Sequence, residues 1–193
     1  MIDPIQIIER YYPTDTLGYR ILLTHSQQVA ELALEVVRQH PELACDERFV
    51  YEGAMLHDIG IYLTNAPTIG CYGTEPYLRH GYLGGELLRE LGLERHAQVA
   101  ERHTGTGLDS ETIRARGLDL PTDRLYMPQS IEERVICYAD KFYSKTQLEH
   151  QKPLEKVRTS LAKYGAESLA RFDQMHEQFQ VSKIGRASCR ERV

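Results

Sequence analysis

From residue 17 to residue 40, apolar side chains at Leu22, Val29, Leu32, Ala33, Val36 and Val37 return at intervals of three and four, and Pro41 closes the run. That spacing lines one face of a long amphipathic helix and does not fit the alternation of a strand. The same logic fills most of the chain. Asp3-Pro4 caps a short helix that Pro13 stops, and Asp46-Glu47 starts another that runs into His57-Asp58. Helical patterns follow at about 76–91, 94–103 and 110–116, then at about 154–164 and 166–180. Ser130 and Glu133 match a capping box ahead of Val135, Ile136, Ala139 and Phe142, in a helix expected to reach about Thr146. Residues 64–76 hold two prolines and two glycines and read as a loop, and 117–129 is also irregular. With no sustained alternation and no internal repeat, the expected class is all-α, in a single domain over 1–183.

Composition narrows what such a chain can do. The 193 residues are 41% hydrophobic and 26% charged, enough for one core and too apolar for disorder. No apolar run approaches the roughly 18 residues of a spanning helix, which argues against a membrane protein. The first residues lack the basic, apolar and small-residue pattern of an export signal, so the expected location is cytoplasmic. A formal charge of −5 disfavours extended nucleic-acid binding, which needs clustered Lys and Arg. Cys45, Cys71, Cys137 and Cys189 are dispersed, without a CxxC pair, and suit free thiols better than disulfides or a thiolate metal site.

Residues 184–193, Ile-Gly-Arg-Ala-Ser-Cys-Arg-Glu-Arg-Val, have no apolar periodicity and resemble the translation of a sequencing adapter, so a non-native tail is expected. Without its three arginines and one glutamate, the charge of the remaining body moves from −5 to −7.

Eight histidines are left to explain, and imidazole is the commonest metal ligand. His25 lies in the long helix, His57-Asp58 at a helix end, His80 at a helix start, His103 at a helix end and Asp140 in the capped helix. Side chains near helix ends can converge on one centre without displacing core packing. Adjacent helical residues point about 100° apart, so His57 and Asp58 can flank one centre only if the backbone bends, which Gly60 is expected to permit. His40 reads as a helix-end histidine near the negative end of the dipole. His96, His150 and His176 have polar neighbours and are expected to be exposed, as are the Glu and Arg residues between 86 and 102. Met55, Leu56, Ile59, Ile61 and Leu63 are expected as core around the site.

The order His25, His57-Asp58, Asp140, with the string His57-Asp58-Ile59-Gly60 and Ala139-Asp140-Lys141 on a later helix, resembles the HD superfamily of metal-dependent phosphohydrolases in its HDIG variant. The resemblance covers about residues 20–150 and implies an HD-domain helical bundle. His80, in Arg79-His80-Gly81, and His103, in Arg102-His103-Thr104, resemble the extra ligands of the dinuclear subclass. By that resemblance His25, His57, Asp58 and Asp140 hold one metal, Asp58 bridges to a second held by His80 and His103, and His57 and Asp58 carry the catalysis. Two cations about 3.5–4 Å apart can activate water and clamp a phosphoryl oxygen. Nitrogen and oxygen ligands without thiolate suit Fe, Mn or Zn. The implied reaction is hydrolysis of a phosphoester or phosphoanhydride in a small phosphorylated substrate, a nucleotide or dinucleoside polyphosphate.

The chain departs from the family pattern in one position. Many HDIG members carry a lysine after the glycine, whereas Ile61 stands here, so one phosphate contact is missing. Lys141, Lys145, Arg79 and Arg102 are the candidate replacements. The Thr104-Gly105-Thr106-Gly107 turn is open to two readings, an anion nest or a helix stop, and the 64–76 loop is long enough for a lid or specificity loop. The Gly-Tyr-Pro signature of the cyclic-dinucleotide branch is missing. A similar ligand set occurs in HD-fold mixed-valent di-iron oxygenases acting on organophosphonates or polyols, and a non-catalytic regulatory module is the third reading. Association into a homodimer is left open.

Overall fold

The structure is a computed structural model that describes residues 2–182. The expected non-native tail at 184–193, with Cys189, lies outside the described residues. The helices are α1 (Pro4–Glu9), α2 (Leu17–Gln39), α3 (Glu47–Leu56), α4 (His80–Glu90), α5 (Glu94–Arg102), α6 (Ser110–Ala115), α7 (Ile131–Asp140), α8 (Leu154–Ala162) and α9 (Ala166–Phe179). The fold is all-α, as the periodicity implies. Its only described strands, β1 (Asn65–Ala66) and β2 (Cys71–Tyr72), form a two-residue antiparallel ladder within the 64–76 loop. None of the described helices is long and apolar enough to cross a membrane.

Five of the described helices, α1, α2, α3, α6 and α7, start on side-chain caps that satisfy otherwise orphaned backbone N–H groups. Asp3 accepts from Ile5 N at 3.0 Å, Asp46 from Phe49 N at 3.0 Å and Ser130 from Glu133 N at 3.1 Å. The Glu133 side chain returns toward the cap but accepts from Gln129 N at 2.7 Å, one residue earlier than a capping box requires.

The apolar faces meet in one continuous core. Val29, Leu32, Ala33 and Val36 of α2 pack with Val50 and Ala54 of α3, Val135, Ile136 and Ala139 of α7, and Phe172 and Phe179 of α9. Met55, Leu56, Ile59 and Ile61 are fully buried, while Leu63 is only half-buried. A satellite cluster of Ile113, Leu120 and Tyr126 closes the 108–127 region.

Helix α7 ends at Asp140, about six residues earlier than the periodicity implies. The backbone beyond it is satisfied elsewhere: Lys152 N donates to Phe142 O at 2.7 Å, and Lys152 Nζ to Tyr143 O at 2.8 Å and Lys141 O at 3.3 Å. The early stop leaves residues 141–146 free to fold back over the histidines.

Candidate metal centre and its cleft

The six predicted ligand residues converge. Asp58 lies at their centre, fully buried, with its two carboxylate oxygens turned to opposite groups. Oδ2 is 3.2 Å from His25 Nε2 and 3.0 Å from His57 Nε2, while Oδ1 is 3.4 Å from both His80 Nε2 and His103 Nε2. Asp140 Oδ1 joins the first group at 3.0 Å from His25 Nε2 and 3.6 Å from His57 Nε2. Within each group, His25–His57–Asp58–Asp140 and Asp58–His80–His103, the ligand atoms lie within 4.8 Å of one another.

Local backbone geometry aims the imidazoles. Nδ1 of His57 faces Ala54 O at 2.6 Å, Nδ1 of His80 faces Tyr77 O at 2.6 Å and Nδ1 of His103 faces Ala100 O at 2.8 Å. A carbonyl only accepts, so each Nδ1 carries the hydrogen and each Nε2 presents its lone pair to the centre. His80 Nε2 and His103 Nε2 are then 3.1 Å apart with lone pairs facing, an arrangement that a shared cation relieves. His57 Nε2 and Asp58 Oδ1 are buried without a hydrogen-bond partner. Buried orphan acceptors are costly, and this donor set of imidazole and carboxylate suits a divalent transition metal.

The bend between His57 and Asp58 does not come from Gly60. Asp58 itself turns the chain, at φ −105° and ψ 10°, and Gly60 serves a different purpose. A Cβ there would lie 2.3 Å from His80 O and 2.4 Å from Gly84 N. Glycine therefore lets the segment after Asp58 press onto the start of α4, which sets Asp58 against His80. Tyr12, which no motif in the chain singles out, holds the same segment by donating to Ile59 O at 2.8 Å and accepting from Tyr62 N at 3.0 Å.

Burial and charge oppose one another throughout the centre. Burial favours neutral His57, yet Asp58 and Asp140 outweigh it and raise the pKa to about 9; the same pull acts on any cation placed there. Burial alone dominates at His80, pushing it down to about 3. For Asp58 the desolvation cost is overcome chiefly by Lys145 and His57, which hold the carboxyl well below its ordinary range.

The four cationic candidates divide into two pairs. Lys145 Nζ reaches Asp58 Oδ2 at 2.6 Å and Lys141 Nζ reaches Asp140 Oδ2 at 2.7 Å. Arg79 is instead tied to Glu75 at 2.6 Å and Arg102 to Glu133 at 3.0 Å, each locking the residue before a histidine of the centre. The Thr104–Gly107 turn is similarly engaged: Lys141 Nζ donates to His103 O at 3.1 Å and Thr106 Oγ1 to Ser168 O at 3.1 Å. Within the turn Gly107 N donates to Thr104 O at 3.0 Å.

Expectations of exposure fail at His96, at Glu101 and, in part, at His176. His96 is buried against Glu52, at 3.1 Å, and Glu101 is buried in a paired contact with Arg89 at 2.6 and 2.7 Å. His150 is exposed, and His176 is half-buried with Nδ1 2.9 Å from Tyr138 Oη. Cys45, Cys71 and Cys137 are free thiols, as expected.

A cleft of about 460 Å³ opens beside the centre, between the 65–69 stretch and residues 144–146, with Tyr77 and Lys145 in its lining. Tyr77 stacks on His80 with ring centroids 4.7 Å apart. Residues 65–69 of the 64–76 loop thus form one wall of a cleft that reaches the histidine and aspartate cluster through Lys145.

Comparison with known proteins agrees with this architecture. The family profile described as HD domain matches residues 22–144. A tRNA (cytidine(56)-2'-O)-methyltransferase of Picrophilus torridus is 31% identical over 135 residues, covering 69% of this chain and 35% of that protein. An uncharacterised protein of Methanocaldococcus jannaschii is 37% identical over 119 residues, covering 61% of each. The chain thus spans about a third and about three fifths of the lengths of these relatives. Among solved structures, the HD domain of the phosphodiesterase PgpH of L. monocytogenes aligns over 95% of this chain and 91% of its own, with a TM-score of 0.52 and 20% identity. The same domain in complex with cyclic-di-AMP aligns with a TM-score of 0.51.

Proposed function

The chain belongs to the HD-domain family, and on that footing we propose that it is a metal-dependent phosphohydrolase with a centre for two divalent transition-metal ions, Fe, Mn or Zn. The substrate is a small phosphorylated molecule of the nucleotide class. The observation that carries this reading is the division of Asp58, whose Oδ2 faces His25 and His57 while Oδ1 faces His80 and His103. A carboxylate so placed would let Asp58 help hold two cations. The cyclic-di-AMP complex of the PgpH domain supports a nucleotide phosphoester as the class of substrate.

Bound by these residues, the ions would supply a water acidic enough to attack at neutral pH and positive charge for the phosphoryl oxygens. The chain's own groups do the rest. Nδ1–H bonds to backbone carbonyls hold His57, His80 and His103 in the tautomer that leaves Nε2 free. Lys145 both touches Asp58 and lines the cleft, so it is positioned to hold a phosphoryl group arriving from that side. Lys141 orients Asp140. Arg79 and Arg102 act on the substrate indirectly, by fixing the histidines that follow them. Attack of water on phosphorus forms one P–O bond and breaks the bond to the leaving oxygen, which takes up the proton the water gives up.

The test is phosphate release from a panel of nucleotides by the metal-loaded protein, with and without oxygen. Release that needs metal and ignores oxygen is expected. Oxygen consumption without phosphate release would favour the di-iron oxygenase reading. Inactivity, with no phenotype of His57→Ala or Asp58→Ala, would favour a regulatory module.

A further inference from the structure

We infer that the cleft beside the centre is a subsite for the uncharged, hydroxyl-bearing part of a phosphate monoester, and that the substrate carries a single phosphate. This deepens the reading proposed above and rests on it.

The lining of the cleft carries the argument. Lys145 is the one charged side chain among the residues that line it, and its Nζ lies 2.6 Å from Asp58 Oδ2. The lysine thereby marks the end of the cleft where a phosphoryl group meets the metal ligands. The other polar groups of the lining are neutral, the Asn65 amide and the hydroxyls of Thr68, Tyr77, Ser144 and Thr146, set among Ala66, Pro67 and Ile69. Ser144 Oγ and Thr146 Oγ1 lie 3.1 Å apart and form a pair on one wall. Such groups exchange hydrogen bonds with sugar hydroxyls at little desolvation cost. A second or third phosphate lying there would give up water for neutral hydroxyls, without the cationic partner that makes phosphate recognition strong. The volume, about 460 Å³, falls within the range of sites for small ligands. A sugar phosphate and a nucleoside monophosphate share the required chemistry: one phosphate on a hydroxyl-bearing carbon skeleton.

The experiment is calorimetric titration of the metal-loaded full chain with ribose 5-phosphate, AMP, ADP and ATP, alongside phosphate release from each. AMP is expected to bind at least about fivefold more tightly than ATP, the scale of one uncompensated charge at a cleft rim. Ribose 5-phosphate binding as well as AMP would identify a sugar phosphate, and weaker binding a nucleoside monophosphate. Thr68→Lys, at an exposed position, is expected to narrow the AMP-to-ATP ratio by about fivefold. Tighter binding of ATP than AMP, no binding of either monophosphate, or a ratio unmoved by Thr68→Lys would overturn the subsite. The two readings fail separately: preferential AMP binding without any phosphate release would sink the hydrolase and keep the subsite. Preferential hydrolysis of ATP would sink the subsite and keep the hydrolase.

Discussion

Asp58 Oδ1 and His103 Nε2 lie 3.4 Å apart, while the other oxygen of the same carboxylate is turned to His25 and His57. The two residues therefore differ in reach: His103 belongs to one ligand group and Asp58 to both. Asp58→Ala is expected to lower occupancy of both metal positions, and His103→Ala to empty mainly one. Elemental analysis of the two variants checks this, and equal losses would contradict the shared carboxylate.

Lys145 stands where a cation belongs. Burial pulls its ammonium toward neutrality, but Asp58 outweighs this and holds its pKa above the ordinary lysine value. Removing one partner of a buried ion pair costs about 3 kcal/mol, so Lys145→Met should lower the melting temperature in chelator. Saturating metal should largely close the gap, because the ions then satisfy Asp58. Thermal scans with and without metal read this directly, and a gap of equal size in both conditions would contradict it.

Gly60→Ala tests the contact that seats Asp58 against α4. The added methyl meets backbone atoms at 2.3 and 2.4 Å, which no rotamer change relieves. A loss of about 2–3 kcal/mol is expected, at the upper end of overpacking costs. Denaturant unfolding measures it; a change below about 0.5 kcal/mol, within the ordinary scatter of surface substitutions, would show that the helices part freely.

His96 gives the fold an acid-side weakness. Burial lowers its pKa below the ordinary 6.5, against the opposing pull of Glu52. The folded state therefore favours neutral imidazole and the unfolded state takes up the proton first. The resulting stability is complete above about pH 6.5 and is lost as the pH falls toward the folded-state pKa. His96→Gln keeps an N–H for Glu52 and has nothing to titrate, so its melting temperature should fall less between about pH 6.5 and pH 5. Parallel curves for variant and parent would contradict this.

Much of this was legible in the chain. Asp46 and Ser130 announce helix starts because capping is a local hydrogen bond, and the six candidate ligands stand out because five separate elements present them in the order of the HD pattern. What was not legible depends on distant partners. Glu101 and Arg102 read as a solvated face, yet their partners lie 12 and 31 residues away, and the partner of His96 lies 44 away. Helix α7 was expected to continue to about Thr146 because its apolar pattern does; it stops at Asp140, where Lys152 takes over the freed carbonyls. Only that stop returns Lys145 to Asp58, and with it the cleft formed by two segments nearly 80 residues apart in sequence.

The measurement that bears most directly on the central claim is the metal content of the purified wild-type chain, by elemental analysis after loading with Fe, Mn or Zn and removal of free ion. Two equivalents per chain are predicted, one for each group of ligands that Asp58 joins. One equivalent, or none, would contradict a dinuclear centre.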